Sequence, residues 1–198
     1  PTGTTITLTT TSNSATWSPQ TVTKSGGVLT WTATGAALAG SPVVINANDP
    51  TFNFSSNNGS PITIEITSPD GFNGLTALDF WVPASGGLIS VLDVSNATAL
   101  LSLNTRYNVL TGIDLSQNTV LQTYIMRGNR QLNNQPLNTT NNTQLGLLWV
   151  DGTGINSVDL SNNPLLLDVR LYNNRLTSAV LDQVLIDLDA HGLSDGNL

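Results

Sequence analysis

Cysteine is absent from the 198-residue chain, which excludes a disulfide scaffold, a thiolate metal site and an enzyme with a cysteine nucleophile. Cations are scarce, with 6 lysines and arginines against 13 acidic residues and a net charge of −7. An acidic chain repels phosphate backbones, so nucleic acid is not expected as a partner. No apolar run approaches the roughly 18 residues that span a bilayer, and membrane insertion is therefore not expected.

Charged residues make up only 10% of the chain, so the surface must be covered mainly by Thr, Ser and Asn. Such a surface is typical of extracellular β proteins and of virion parts. The sequence contains no charged-then-apolar signal peptide. Pro1 is compatible with a start directly after an initiator methionine, although a removed signal peptide or an engineered boundary would look the same.

Short strands separated by turns are predicted over the first 74 residues. The turns contain "KSGG", "NDP", "SSNNGS" and "SPDG", whose residues favour tight bends. The alternation in "PITIEIT" predicts that Ile62, Ile64 and Ile66 share one buried face. Spacing near ten residues predicts a β-sandwich-like domain over residues 1–74, which serves either as a cap or for attachment. The predicted strand segments are "TITLTT", "GVLTWTATG", "PVVINA", "TFNF" and "PITIEIT".

Two sequence phrases alternate from about residue 75 onward, and both repeat at about 21 residues. The first phrase is anchored at Leu92, Ile113 and Val158, with a degenerate copy in "QPLNTTNNTQL", where Leu137 is matched to Leu160. That match places extra residues before Leu145. The second phrase has anchors spaced by 21, 24 and 21 residues, at Leu103, Tyr124, Leu148 and Val169.

The apolar spacing inside each phrase predicts a coil that buries only part of its core alone, so the coils must stack. An asparagine follows the second phrase at a fixed offset, at Asn108, Asn129 and Asn174, with Thr153 as the exception. Stacked amides are expected to bond one another and the backbone of the bend, which would satisfy buried polar groups.

The segments "LLDVRLYNNRL" and "LQTYIMRGNRQL" resemble the motif L-x-x-L-x-L-x-x-N-x-L of the leucine-rich-repeat family. The phrases are more closely similar to short repeats of surface proteins of Bacteroidetes and of phages that infect them. This resemblance covers roughly residues 75–176 and departs from the pattern at "FWVPASGG" and "QPLNTTNN". It implies a mainly β fold with a leucine-rich-repeat β-solenoid over residues 75–198, and it is nearly silent about function.

A capping helix is predicted at about residues 178–191, where the apolar period changes. A helical stripe contains Leu181, Val184, Leu185 and Leu188. Ser178 is expected to be the N-cap and Gly192 the C-terminal stop.

Catalysis is not expected. His191 is the only histidine, and no nucleophile elbow such as G-x-S-x-G is present. No cofactor is implied. Asp93, Asp114 and Asp159 are weak candidates for a calcium site because they would stack on adjacent coils about 5 Å apart. The favoured interpretation is no metal, with each Asp bonded to the neighbouring Ser or a backbone amide, partly because the third coil supplies Pro136.

The outward positions of the second phrase form the candidate binding site. Arginine and aromatic residues are enriched in binding hot spots, and an arginine beside an aromatic ring also suits sugars and acidic groups. Scattered exposed aromatics are, however, common on any surface. Replacing Arg127 and Trp149 with Ala is expected to abolish attachment without changing the melting temperature. The candidate residues are Arg106, Arg127, Trp149, Asp151, Arg170 and Tyr172.

The leading hypothesis is a non-catalytic component of a phage virion surface, as a head decoration, head fibre or tail-tip protein. It would present the repeat surface to a protein partner in an assembly or to a host-surface protein or glycan. One alternative is a secreted bacterial adhesin at the cell surface. The other is a non-catalytic accessory module of a larger polysaccharide-acting enzyme. The oligomeric state is not predicted.

Overall fold

The computed structural model describes residues 5–81 and 88–192, which form a mainly β fold with one α-helix among them. Most strands are short, as expected for stacked coils. The strands are β1 (Ile6–Thr10), β2 (Thr21–Lys24), β3 (Thr30–Thr34), β4 (Val43–Asn46), β5 (Ile62–Thr67), β6 (Leu75–Asp79), β7 (Ile89–Asp93), β8 (Ser102–Asn104), β9 (Thr123–Ile125), β10 (Pro136–Leu137), β11 (Leu147–Trp149), β12 (Ser157–Val158) and β13 (Asp168–Arg170). A 3-10 helix spans Arg130–Leu132, and α1 spans Ser178–Ala190.

The second phrase builds one side of a β-solenoid of about four turns. Its strands lie in a six-stranded sheet of order β13-β11-β9-β8-β6-β2, in which β6, β8, β9, β11 and β13 are parallel. The anchors pair across adjacent strands as the sequence predicts. The sheet also includes β6, a parallel strand before the first predicted anchor, in which Leu78 lies opposite Leu103. The paired anchors are Leu103 with Tyr124, Tyr124 with Leu148, and Leu148 with Val169.

The first phrase forms the short parallel pair β10–β12, and its register corrects the predicted alignment. Leu137 pairs with Val158, so the predicted match with Leu160 is wrong by two residues. The three extra residues lie before Pro136, in the 3-10 helix, and not before Leu145. In this register Asn138 of the third coil occupies the position that Asp159 has in the next coil. The sequence alignment predicted Pro136 at this position.

Asparagine side chains hold the bends in two columns. In the predicted column, the Asn129 amide nitrogen donates to the carbonyls of Thr105 (2.8 Å) and Met126 (2.7 Å). Thr153 takes the place of the amide with a hydroxyl that bonds the Val150 carbonyl at 3.0 Å. The predicted bonds from this column to the backbone of the bends are therefore present, whereas no bond between two of its amides is seen among the described residues. A second column, which the sequence analysis missed, consists of Asn118, Asn142 and Asn163 and bonds backbone carbonyls in the same way.

The N-terminal strands are hydrogen bonded to the first coil. A five-stranded sheet of order β4-β3-β5-β1-β7 includes β7, which carries the first-phrase anchor Leu92. On the other side, β2 pairs antiparallel with β6 and extends the solenoid sheet by one strand. One continuous cluster of buried apolar side chains runs from Ile6 to Leu188. The domain boundary at residue 74 stays a prediction.

Most of the predicted N-terminal strands are present. Ile62, Ile64 and Ile66 are fully buried on one face of β5, as expected. The segment "TFNF" is not a strand and makes only an isolated bridge from Phe52 to Trp17. The reason is local, since the Asn53 side chain accepts from the Ser55 amide at 2.9 Å and bends the chain. Strand β2 was not predicted from the sequence.

Helix α1 covers part of the last coil. Its N-cap is Thr177, whose side chain accepts from the Val180 amide, so the predicted cap at Ser178 is wrong by one residue. Gly192 ends the helix at φ +80° with its N–H donating to the Asp189 carbonyl at 2.9 Å. Val184 and Leu188 are buried. The other two residues of the predicted stripe, Leu181 and Leu185, remain 42% and 49% exposed.

Candidate binding surface

The six predicted binding residues lie on the outward side of the parallel sheet, which we call the sheet face. They occupy two columns, at one and three residues after each second-phrase anchor. The parallel register aligns each column from coil to coil, as the backbone bonds Gly128 N–H to Asp151 C=O and Gly152 N–H to Tyr172 C=O illustrate. The first column is Asp79, Asn104, Ile125, Trp149 and Arg170. The second is Trp81, Arg106, Arg127, Asp151 and Tyr172.

Two arginines of the sheet face stack closely on tryptophan rings. The guanidinium carbon of Arg106 lies 3.9 Å from the ring centroid of Trp81, and that of Arg170 lies 3.7 Å from Trp149. Such cation–π contacts flatten the guanidinium against the ring and leave its edge to donate. The edge of Arg170 already donates to the Asp168 carboxylate at 3.4 Å. The two pairs are two of three arginine–aromatic contacts on this face.

The third contact joins Arg127 to Tyr107, at 5.8 Å from the ring centroid. Tyr107 has φ +58° and turns its ring over Gly128. A Cβ atom at Gly128 would lie 2.6 Å from the ring carbon Cδ1 of Tyr107. The contact therefore depends on glycine at this position. Tyr107 is 46% exposed, so one side of its ring remains open to a ligand.

Asp151 organises the middle of the sheet face. It is only 2% exposed, and its Oδ2 lies 2.9 Å from Arg127 Nε. A buried carboxylate needs such a partner because desolvation disfavours the charge. A hydrogen bond to the same carboxylate raises the pKa of Tyr172, and desolvation adds to this effect. We infer that Asp151 positions the side chains of Arg127 and Tyr172.

The sheet face also contains donors without acceptors. Trp149 Nε1 and Arg106 Nε are buried and have no hydrogen-bond partner among residues 5–81 and 88–192. Buried donors are normally paired, so these two atoms are an exception on this face. The arrangement offers planar rings, guanidinium edges and amide donors, which are suited to binding.

Trp81 and Tyr107 were missed as site residues by the sequence analysis. Trp81 follows the anchor Leu78 at the same offset at which Arg106 follows Leu103. The repeat pattern did not extend to Leu78, because "FWVPASGG" departs from it. Residues 82–87 of this departure lie outside the described part of the chain. Tyr107 directly follows Arg106, but its orientation depends on the positive φ, which the sequence pattern did not predict.

The Asp residues that were weak metal candidates make local turns. Asp93, Asp114 and Asp159 each accept from the amide two residues later, at 2.9, 2.9 and 3.0 Å. Hydrogen bonds from Ser116 lower the pKa of Asp114, and those from Ser161 lower the pKa of Asp159. Asn138 makes the same turn to the Thr140 amide. The expected local bond from a nearby serine is thus present at all three Asp residues.

In the described ranges, no group of three or more His, Cys, Asp or Glu residues could hold a metal ion. No helix within those ranges is long and apolar enough to cross a membrane. His191 lies at the C-cap of α1.

No protein-family model matches the sequence, and no curated protein matches it. Among solved structures, the functional domain of InlJ from Listeria monocytogenes, which includes a cysteine ladder, is 39% identical with a TM-score of 0.43. The match covers 45% of this chain and 19% of that chain, so it spans about a fifth of that protein's length. The description of the chain as a leucine-rich-repeat-type β-solenoid rests on its own strand pairing and asparagine ladders.

Proposed function

We propose that this chain is a non-catalytic binding protein whose sheet face contacts a protein or glycan ligand. The observation that carries the proposal is the set of three arginine–aromatic contacts on the strands of one sheet and on the residues that directly follow them. Arginine, tryptophan and tyrosine supply large, rigid contact areas with directed donors, which is the chemistry of binding hot spots. Parallel strands hold these groups at fixed spacing, so the surface is organised before the ligand arrives.

The setting of this surface is proposed from the sequence. The lysine-poor, hydroxyl-rich and amide-rich composition and the repeat resemblance support a virion surface component. The same features support a secreted bacterial adhesin or an accessory module of a polysaccharide-acting enzyme. Co-purification with phage particles would support the virion placement. A cleaved export signal on the gene product would support the adhesin, and a catalytic domain in the same gene would support the enzyme module.

The structure changes the choice of test variants. Arg127 neutralises the buried Asp151, so replacing Arg127 with Ala would leave an unpaired buried carboxylate and lower stability. The expectation that Arg127→Ala and Trp149→Ala leave melting unchanged is therefore revised. The exposed rings are better targets, since Tyr107 and Tyr172 are 46% and 44% exposed.

The test measures binding of labelled protein to a printed glycan array and to a panel of intact bacteria. Tyr172→Ala removes one exposed ring, and Tyr107→Asn removes another while retaining a residue that tolerates positive φ. Each is expected to weaken binding about tenfold, which equals about 1.4 kcal/mol. Melting should be nearly unchanged in Tyr107→Asn and somewhat lower in Tyr172→Ala, which also removes a hydrogen bond to the buried Asp151. Val44→Ala, on a strand of the N-terminal sheet and 55% exposed, is the matched control. If both tyrosine variants bind like the control, the sheet face is not the binding surface.

A further inference from the structure

A cleft of about 670 Å³ lies at the bends that follow the second phrase, beside the sheet face. Its floor is formed by residues 152–154 of the third coil. One wall carries Arg130 and Asn133 from the coil before, and the other carries Asn173 and Arg175 from the coil after. The cleft thus joins the two exceptions of the repeat, namely the three-residue insertion and the coil with threonine in the asparagine column.

The floor of the cleft lacks side chains that could fill it. Gly152 and Gly154 have φ values of +66° and +77°, where a side chain would be strained. A Cβ atom at Gly154 would also lie 3.3 Å from Asn133 Oδ1. The floor is fixed by Asn174, whose Oδ1 accepts from the amides of Thr153 (3.1 Å) and Gly154 (2.8 Å). The opening is therefore a stable part of the fold.

The walls of the cleft carry unpaired polar groups. The side chains of Arg130 and Arg175 are exposed and form no ion pair or hydrogen bond within the described chain. The situation differs for Arg127 and Arg170, which pair with carboxylates. Two unpaired arginines therefore line one opening that has no acidic residue in its lining, in a chain with 13 acidic residues.

We propose that this cleft binds a carboxylate-bearing sugar of an acidic polysaccharide. A guanidinium matches a carboxylate with two parallel N–H donors, so Arg130 and Arg175 would hold the acidic group. The primary amides of Asn133 and Asn173 both donate and accept, as neighbouring sugar hydroxyls require. No aromatic or large apolar side chain lines the cleft, which favours a polyhydroxyl ligand over a peptide anchored by an apolar residue. This site is separate from the sheet face and does not depend on its function.

The experiment is titration calorimetry of the full chain with tetragalacturonic acid, with its methyl ester as the neutral ligand of the same length. The acid is expected to bind, and the ester to bind at least tenfold more weakly because the charge is removed. Binding of the acid should weaken as salt is raised, since the groups are exposed and screened. A tetraglutamate peptide is the third ligand and is expected to bind at least tenfold more weakly than the acid sugar.

The matched variants separate the cleft from net charge. Arg130→Gln and Arg175→Gln are each expected to reduce affinity at least tenfold without changing the melting temperature, because neither side chain has a partner to lose. Arg175→Lys keeps the charge and should retain part of the affinity. Gln117→Glu changes net charge by the same unit at an exposed turn after the first phrase, and it should bind like the parent chain.

Location is measured by amide NMR, in which Gly152 and Gly154 should shift on addition of the acid sugar. Four results would each overturn the proposal: no binding of the acid, equal binding of the ester, equal or tighter binding of the glutamate peptide, or full affinity in Arg175→Gln. Loss of sheet-face binding in the tyrosine variants does not affect the calorimetry or NMR measurements of the cleft. The proposal for the sheet face and the proposal for the cleft can therefore be rejected independently.

Discussion

At the scale of single residues, side-chain amides fix the spacing between coils. Asn129 is fully buried, and its Oδ1 accepts from the Leu110 amide at 3.1 Å while its nitrogen donates to two carbonyls. One side chain thus satisfies three backbone groups that belong to two adjacent coils. Water cannot reach these groups in a packed bend, so the amide stabilises both coils together.

Asn129→Ala is expected to lower the free energy of unfolding by about 3 kcal/mol, because it leaves the buried Leu110 N–H and the Met126 carbonyl without partners, while the Thr105 carbonyl keeps its bond from Asn108. Asn129→Thr should lose less, since Thr153 occupies the same place in the next coil and bonds a carbonyl with its hydroxyl. Urea denaturation of both variants measures the difference. Equal stability of the alanine variant and the parent chain would show that the ladder contributes nothing.

The residue scale also shows what a single sequence can and cannot predict. The column of Asn108, Asn129 and Asn174 was predicted because its offset from the anchors is constant. The second column was missed because Ala97 replaces the amide in its first coil and the misplaced Leu137 hid Asn142. The cleft formed by Arg130 and Arg175 was missed because it depends on positive φ values and on an insertion whose position only the strand register fixes.

At the scale of elements, the sequence alone does not fix the start of α1, because Thr177 and Ser178 are both of the residue types that cap helices. Thr177 has extended angles, φ −76° and ψ 162°, and its side chain caps the helix, whereas Ser178 is already helical. The apolar stripe identified the helix, but only Val184 and Leu188 are buried. Leu181 and Leu185 instead line an apolar pocket of about 370 Å³ between the helix and the last coil.

Thr177→Ala is expected to destabilise the protein by about 1 kcal/mol, since it removes the acceptor for the Val180 amide. Ser178→Ala should have almost no effect, or a slightly stabilising one, because alanine is the best helix former. Thermal melts of the two variants give the comparison directly. A larger loss in Ser178→Ala than in Thr177→Ala would place the cap where the sequence pattern alone suggested.

At the scale of the whole molecule, the N-terminal strands and the solenoid share hydrogen bonds on both sides. Strand β1 lies between β5 and β7, and β2 lies against β6. The sequence predicted a separate domain over residues 1–74 because turn spacing reports local strands and carries no information on distant pairing. Both junctions are antiparallel pairs between residues far apart in sequence, which a period-based analysis cannot detect.

A fragment of residues 1–74 is therefore not expected to melt cooperatively, since it lacks β7, which is one of the two partners of β1, and β6, which is the partner of β2. Circular dichroism of the fragment during heating, against the full chain as control, measures this. A sharp transition in the fragment would show that residue 74 bounds an independent domain.

The pairing of β1 with β7 has a consequence for folding during synthesis. Thr9 lies opposite Val91, so the N-terminal sheet cannot close until the chain has emerged past Asp93. Contacts of such long sequence separation slow folding because the loop must close before they form. Domains usually fold first from the N-terminus as the ribosome proceeds. Here β1 cannot complete its pairing until β7 has been synthesised. Until then, the edge of β1 that will pair with β7 is exposed to other chains.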